Sequence, residues 1–183
     1  MARLSYPDPA SAPEDARKLL EAMPAKLNVF RMLLQAPTCM RGFMSLGGSI
    51  LQRQQLDPRL RELAILRVAA LSKAGYEWTQ HVPIARAVGA TADEVAAMER
   101  GQVDGLDPVA RAVVRFTEEC VRDVRVSDPT FAEARKHLGE QEVAELVLAI
   151  GYYMLVARWL ETLGVDHEDS RSDWVAGFRP RAG

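Results

Sequence analysis

The chain has 183 residues, 48% of them hydrophobic and 26% charged, a length and composition that suit one globular domain with a substantial core rather than two. Its 23 basic and 25 acidic residues give a formal net charge of -2 with no basic run, so the cation-rich surface that nucleic-acid binding needs is absent. Cys39 and Cys120 are far apart and offer neither a disulfide framework nor zinc-ligand spacing; both read as buried small hydrophobes.

Residues 1–12, rich in proline, alanine and serine, read as an irregular arm. The start, Met1 to Pro9, lacks the apolar core of a signal sequence, which points to a cytoplasmic protein. A short helix is expected from Pro13 to Met23, with Glu14 and Asp15 at its positive end. Leu27, Phe30, Leu33 and Leu34 form a helical stripe that ends before Ala36-Pro37. The next helix, about Thr38 to Gln52, contains Gly47-Gly48, a pair that weakens it or admits a close neighbour.

Asp57-Pro58 is an N-cap followed by proline at the first helical position. The helix it opens runs to about Lys73, with Leu60, Leu63, Ala64, Leu66, Ala70 and Leu71 on its buried side. A tight connection at Ala74-Gly75 folds the following helix, Tyr76 to Val88, back against it, and Gly89 is a left-handed terminator. Pro83 cannot donate to the Thr79 carbonyl, so a bend is expected one turn beyond Glu77.

Thr91-Ala92-Asp93-Glu94 is a capping box for a helix ending near Gly101. Leu106-Asp107-Pro108 repeats Leu56-Asp57-Pro58 at an offset of fifty, and Gly139 stands at the same offset from Gly89, which suggests a degenerate repeat of helical units. Ser127-Asp128-Pro129 starts a further helix, and Gln141 to Leu163 is the longest. Its apolar run, Leu146 to Ala157, is about a dozen residues against the roughly 20 that span a bilayer, so it reads as a buried helix and no membrane is expected. Residues 164–183 read as a polar tail, expected to dock on its own subunit or a neighbour through Trp174 and Phe178, or otherwise to fray. No segment alternates with a two-residue period, so an all-α fold is expected over a single domain, 1–183.

The chemistry concentrates on two adjoining helices. Glu77 and His81 are four residues apart and share a helix face, and Glu62 lies on the preceding helix. Two carboxylates around one imidazole make a proton relay, because crowding raises one carboxyl pKa while the neighbouring charge holds the imidazole protonated. The competing structural reading makes Glu62 a helix-start acid paired with Arg59 or Arg67, and Glu77 a first-turn acid. Tyr76 and Trp78 flank Glu77 and either wall a pocket or pack in the core. Tyr152 and Tyr153 face the same choice, while His137 and His167 read as structural or solvated. As metal ligands, two carboxylates and one histidine form a poor set, and no metal is expected.

The segment from about Leu56 to Gly89 resembles the carboxymuconolactone decarboxylase and alkyl hydroperoxidase D superfamily. Laid on this chain, the peroxidase branch places its Glu on Glu62 and its His on His81, with its two cysteines falling on Ala74 and Glu77. The thiols are absent, whereas Glu77-Trp78-Thr79-Gln80-His81 reproduces the Glu-x-x-x-His of the decarboxylase branch. The resemblance implies an all-α bundle of the alkyl hydroperoxidase D-like type, retaining the site in the first repeat only, since Phe131 stands where the first copy has His81. It implies a cofactor-independent lyase or isomerase on a small organic acid or lactone, with Glu62, Glu77 and His81 as the catalytic groups. Arg67 and Arg86 are candidate substrate anchors because they lie on the two motif helices. A homo-oligomer is also implied, a dimer, trimer or hexamer. The rival readings are a peroxide-reducing protein, for which Cys39 or Cys120 would have to reach the pocket, and a non-catalytic small-ligand-binding or assembly protein.

Overall fold

A computed structural model describes residues 1–23 and 25–168. The tail residues Trp174 and Phe178 lie outside the described residues. Every regular element among the described residues is helical. Nine α-helices run in the order α1 (Glu14–Glu21), α2 (Asn28–Met32), α3 (Pro37–Arg53), α4 (Pro58–Ser72), α5 (Gly75–Ala87), α6 (Ala92–Arg100), α7 (Pro108–Asp123), α8 (Asp128–Arg135) and α9 (Glu140–Leu163). Short 3-10 turns occur at Pro9–Ser11 and Leu33–Gln35.

The helix starts follow from local chemistry. The Asp57 carboxylate accepts from the Leu60 N–H at 3.1 Å, and Asp107 repeats the cap on Ala110 at 2.8 Å. Thr91 and Glu94 complete a reciprocal capping box at the start of α6. Arg59 ties these ends together: its guanidinium bonds both the Glu94 carboxylate and Asp107, so it links the starts of α4, α6 and α7. The order α4, α5, α6 recurs as α7, α8, α9 at close to the fifty-residue offset. Gly139 does not repeat the backbone of Gly89, however. Gly89 has φ +103°, whereas Gly139 is extended and caps the start of α9.

At the centre lies α4, which packs against α5, α6, α7 and α9. An amphipathic stripe was expected on it, yet every residue from 60 to 69 is buried, Arg61, Glu62 and Arg67 included. A helix surrounded on all sides has no solvent face, so its charged groups are tolerated only when paired. Arg59 and Arg67 do not pair with Glu62: Arg67 bonds Glu118 at 2.6 Å and the Met98 carbonyl at 2.8 Å. The turn between α4 and α5 also differs from expectation. Lys73, not Gly75, takes the left-handed conformation (φ 54°), and the Ala74 N–H closes back on the Ala69 carbonyl at 2.9 Å. Gly75 is thereby free to begin α5.

As a whole helix α9 is longer than the run Leu146 to Ala157 suggests; by length and composition it is the one described helix that could cross a membrane. One side of it is buried on α4, and Val147, Leu148 and Leu155 are exposed. After α9 the chain crosses the amino-terminal arm. The Leu163 carbonyl accepts from the Arg3 N–H at 2.8 Å, and the Asp166 N–H donates to the Tyr6 hydroxyl at 3.0 Å. The arm is therefore pinned by the far end of the chain despite its irregular backbone.

Gly47 is where α3 and α9 approach most closely: a Cβ there would sit 2.4 Å from the Tyr152 hydroxyl, which donates to the Phe43 carbonyl at 3.1 Å. Gly47→Ala is therefore expected to force Tyr152 from its place and to destabilise the fold by about 1–3 kcal/mol, the usual cost of overpacking. Denaturant titration monitored by circular dichroism would measure the loss.

Candidate active site

Three of the sequence candidates converge between α4 and α5. The turn at Lys73 sets α5 against α4, so His81, on the second turn of α5, meets Glu62, on the second turn of α4. His81 Nδ1 lies 2.7 Å from Glu62 Oε2, with the carboxylate fully buried. The other oxygen, Oε1, accepts from Arg61 Nε at 3.1 Å. Glu62 is thus held between a guanidinium and an imidazole. With Nδ1 committed to the carboxylate, Nε2 is the ring nitrogen left for a ligand, and no hydrogen bond ties it to the described residues.

His81 and Glu77 both line a cavity of about 530 Å³ enclosed by α3, α5, α9 and the segment around α2. Its walls are predominantly apolar and aromatic, with Phe43, Tyr152 and Tyr153 prominent. Tyr153 stands edge-on to the His81 ring, 4.7 Å between centroids, and packs against it. Glu62 itself does not line the cavity; it acts from behind His81.

Glu77 is the anomaly. It is 1% exposed and neither of its oxygens has a hydrogen-bond partner among the described residues. Burial drives its pKa well above the ordinary carboxylate range, and the charges of Glu161 and Glu62 push the same way. Between the two influences that the sequence sets against each other, the helix start and burial, burial wins. Burial also raises the pKa of Tyr153, with Glu62 and Tyr152 adding to it, and that of Tyr152, with Glu77 adding to it. Both phenols stay protonated and present O–H groups.

The remaining candidates separate. Tyr76 lines the cavity, and its hydroxyl donates to Glu168; Gln80, one turn along, donates to the same carboxylate at 2.6 Å. Trp78 points elsewhere and packs on Ala69, Ala74 and Ala157. Arg67 and Arg86 are not at the cavity: Arg67 is spent on Glu118 and Met98, and Arg86 bonds the Ala90 carbonyl. Helix position alone did not reveal their direction: α4, which carries Arg67, is enclosed all round, and Arg86 on α5 turns to the carbonyl just past its own helix. Cys39 is exposed and Cys120 half-buried, its thiol pKa raised by burial; neither reaches the cavity. Among the described residues no three His, Cys, Asp or Glu side chains group as metal ligands. Arg61 was not foreseen, since adjacent helical residues do not share a face, and only complete enclosure of α4 makes it Glu62's partner.

Residues 37–119 match the family model described as the carboxymuconolactone decarboxylase family. No curated protein matches the chain in sequence. Among solved structures, an uncharacterized peroxidase-related protein with an alkylhydroperoxidase AhpD core, from Ralstonia eutropha, aligns with a TM-score of 0.79 at 20% identity, covering 92% of this chain and 93% of its own. The family match over residues 37–119 and the shared helical fold both point to the carboxymuconolactone decarboxylase and alkyl hydroperoxidase D-like superfamily. A second uncharacterized peroxidase-related protein, from Silicibacter, aligns at 0.78 and 15% identity over 97% of this chain and 96% of its own. The debrominase Bmp8, in a cysteine-to-alanine form complexed with 2,3,4-tribromopyrrole, aligns at 0.70 and 17% identity over 92% and 91%. At these identities the likeness is one of fold, the all-α bundle expected for the superfamily, and the segment matched by the family model takes in Glu62, Glu77 and His81.

Because the folded state raises the pKa of Glu77, folding takes up a proton there. The favourable contribution is complete below the ordinary glutamate pKa and is lost as pH rises through the higher folded value. Glu77→Gln removes that dependence. The variant is expected to gain melting temperature relative to the parent at pH 8, with the gain shrinking towards pH 4; scanning calorimetry across that range checks the sign.

Proposed function

We propose that the chain is a cofactor-independent acid/base enzyme of the lyase or isomerase type, acting on a small organic acid or lactone. The observation that carries this reading is the Glu62–His81 contact at 2.7 Å, which leaves the opposite ring nitrogen of a cavity-lining histidine for a ligand. Glu62 is a positioning residue: it orients the imidazole and fixes its tautomer, while Arg61 holds the other carboxylate oxygen.

In an isomerisation, neutral His81 removes a proton from carbon next to a carbonyl, the electron pair moves into an enolate, and the imidazolium returns the proton to the other carbon. In a decarboxylation, the C–C bond to the carboxylate breaks, carbon dioxide leaves, and its electron pair forms the same type of enolate. The imidazolium then protonates carbon and is recharged from solvent. The protonated Glu77 and the Tyr153 hydroxyl supply hydrogen-bond donors to the developing enolate oxygen, in a water-poor site where such donors act strongly. That the debrominase relative is complexed with a small ring compound supports a cavity of this fold as a small-molecule site.

Thiol-based peroxide reduction is the weaker reading, because it requires a thiolate at the reacting centre and both cysteines of this chain lie outside the cavity. For a substrate identified by screening lactones and keto acids, His81→Gln is expected to lower kcat/KM by about 10²–10⁴-fold, the range of general acid–base catalysis. Glu62→Gln should cost less and displace the pH profile, whereas Cys39→Ser and Cys120→Ser should leave turnover intact. Unchanged turnover in His81→Gln refutes the proposal.

The exposed Val147, Leu148 and Leu155 on α9 support self-association through that face. Light scattering is expected to give a mass above that of one chain, falling to 20.3 kDa in Leu148→Glu.

A further inference from the structure

The charge inventory of the cavity points to its ligand class. Among the described residues no lysine or arginine lines it. The arginines nearest in sequence to its acid and imidazole are all committed: Arg61 to Glu62, Arg67 to Glu118 and Met98, and Arg86 to Ala90. At the polar end stand Glu77, whose two oxygens have no partner, and Glu62 immediately behind His81. At the rim, the Tyr76 hydroxyl and the Gln80 amide, donors that could have held an incoming carboxylate, are taken by the chain's own Glu168, which also accepts from the Asn28 N–H at 2.8 Å. Among the described residues His81 is the one cavity-lining group able to carry positive charge, and its Nδ1 faces the Glu62 carboxylate.

An organic anion entering this space exchanges water for apolar and aromatic walls with the Glu62 carboxylate close behind His81, and no lysine or arginine among the described residues compensates it. A neutral molecule meets no such penalty: its hydrocarbon part fills the apolar wall, and a carbonyl oxygen accepts from the protonated Glu77 or a tyrosine hydroxyl. A volume of about 530 Å³ lies in the range of pockets that enclose whole small molecules.

We propose that the cavity selects uncharged, largely apolar carbonyl compounds, lactones or esters, and discriminates against the corresponding open-chain carboxylates. This narrows the acid/base reading above and rests on it for the reaction, though not for the binding preference. Of the two substrate types named there, it assigns the lactone.

The test compares γ-decalactone with its ring-opened form, 4-hydroxydecanoate, two compounds with the same carbon skeleton that differ by one charge at pH 7.5. Binding to the full chain is followed through the His81 ring resonances, assigned among the three histidines by their loss in His81→Gln. The lactone is expected to shift the His81 signals and to saturate at a concentration at least about tenfold below that needed for the hydroxy acid, a difference of about 1.4 kcal/mol. Glu77→Leu, which removes the donor to the carbonyl, should narrow that gap, and an unchanged gap would overturn the part assigned to Glu77. Equal or tighter binding of the hydroxy acid overturns the preference, as does failure of both ligands to move His81. The readout is binding without turnover, so it separates the two claims. Full lactone selectivity with unaltered turnover in His81→Gln would remove only the acid/base chemistry; loss of turnover without selectivity would remove only the substrate class.

Discussion

Enclosure of α4 on every side is the constraint from which the site follows. Ten consecutive residues, 60 to 69, lie out of solvent, and three of them are ionisable. Each must find a partner within reach, because an isolated buried charge costs several kcal/mol even after relaxation. Arg67 turns to Glu118 and Met98; Glu62 is caught between Arg61 and His81. The imidazole is therefore not an ornament on a helix surface but the second partner of a carboxylate that could not otherwise be buried. Structure and chemistry share one contact, so a change at Glu62 alters both.

Much of the architecture could be read from local patterns. Asp57-Pro58, Asp107-Pro108 and the Thr91–Glu94 box mark helix starts through side-chain hydrogen bonds that operate within three residues, and those bonds form as expected. What stayed hidden was whatever depends on enclosure. The helix wheel gave α4 a solvent face it lacks, so Arg67 looked available for a substrate and Arg61 looked irrelevant. Glycine preference placed the turn at Gly75, whereas Lys73 adopts the left-handed conformation, a choice fixed by how α5 must lie and not by the residue's own preference. The meeting of Glu62 with His81 was suggested by the tight turn that folds their helices together and by the superfamily spacing. Nothing in the local sequence says that residues 19 apart will touch.

The wall opposite the motif came from farther away still. The close approach admitted by Gly47 lets Tyr152 tuck its hydroxyl against α3, and Tyr153 beside it steadies His81. The second repeat unit thus contributes no acid–base group of its own; it supplies α9, whose tyrosines complete the chamber of the first. The Asp-Pro caps stand in both units, whereas Phe131, fifty residues beyond His81, is exposed.

Glu77 carries a consequence for how any ligand would register calorimetrically. A carboxyl held neutral by its surroundings answers to the polarity of whatever group comes to rest against it. A guest offering an N–H or O–H favours the ionised form and expels a proton to the buffer; one offering only a lone pair keeps the proton in place. The heat of association would then vary with the ionisation enthalpy of the buffer in the first case and not in the second, so the solution itself would report which kind of atom had come to rest against the acid.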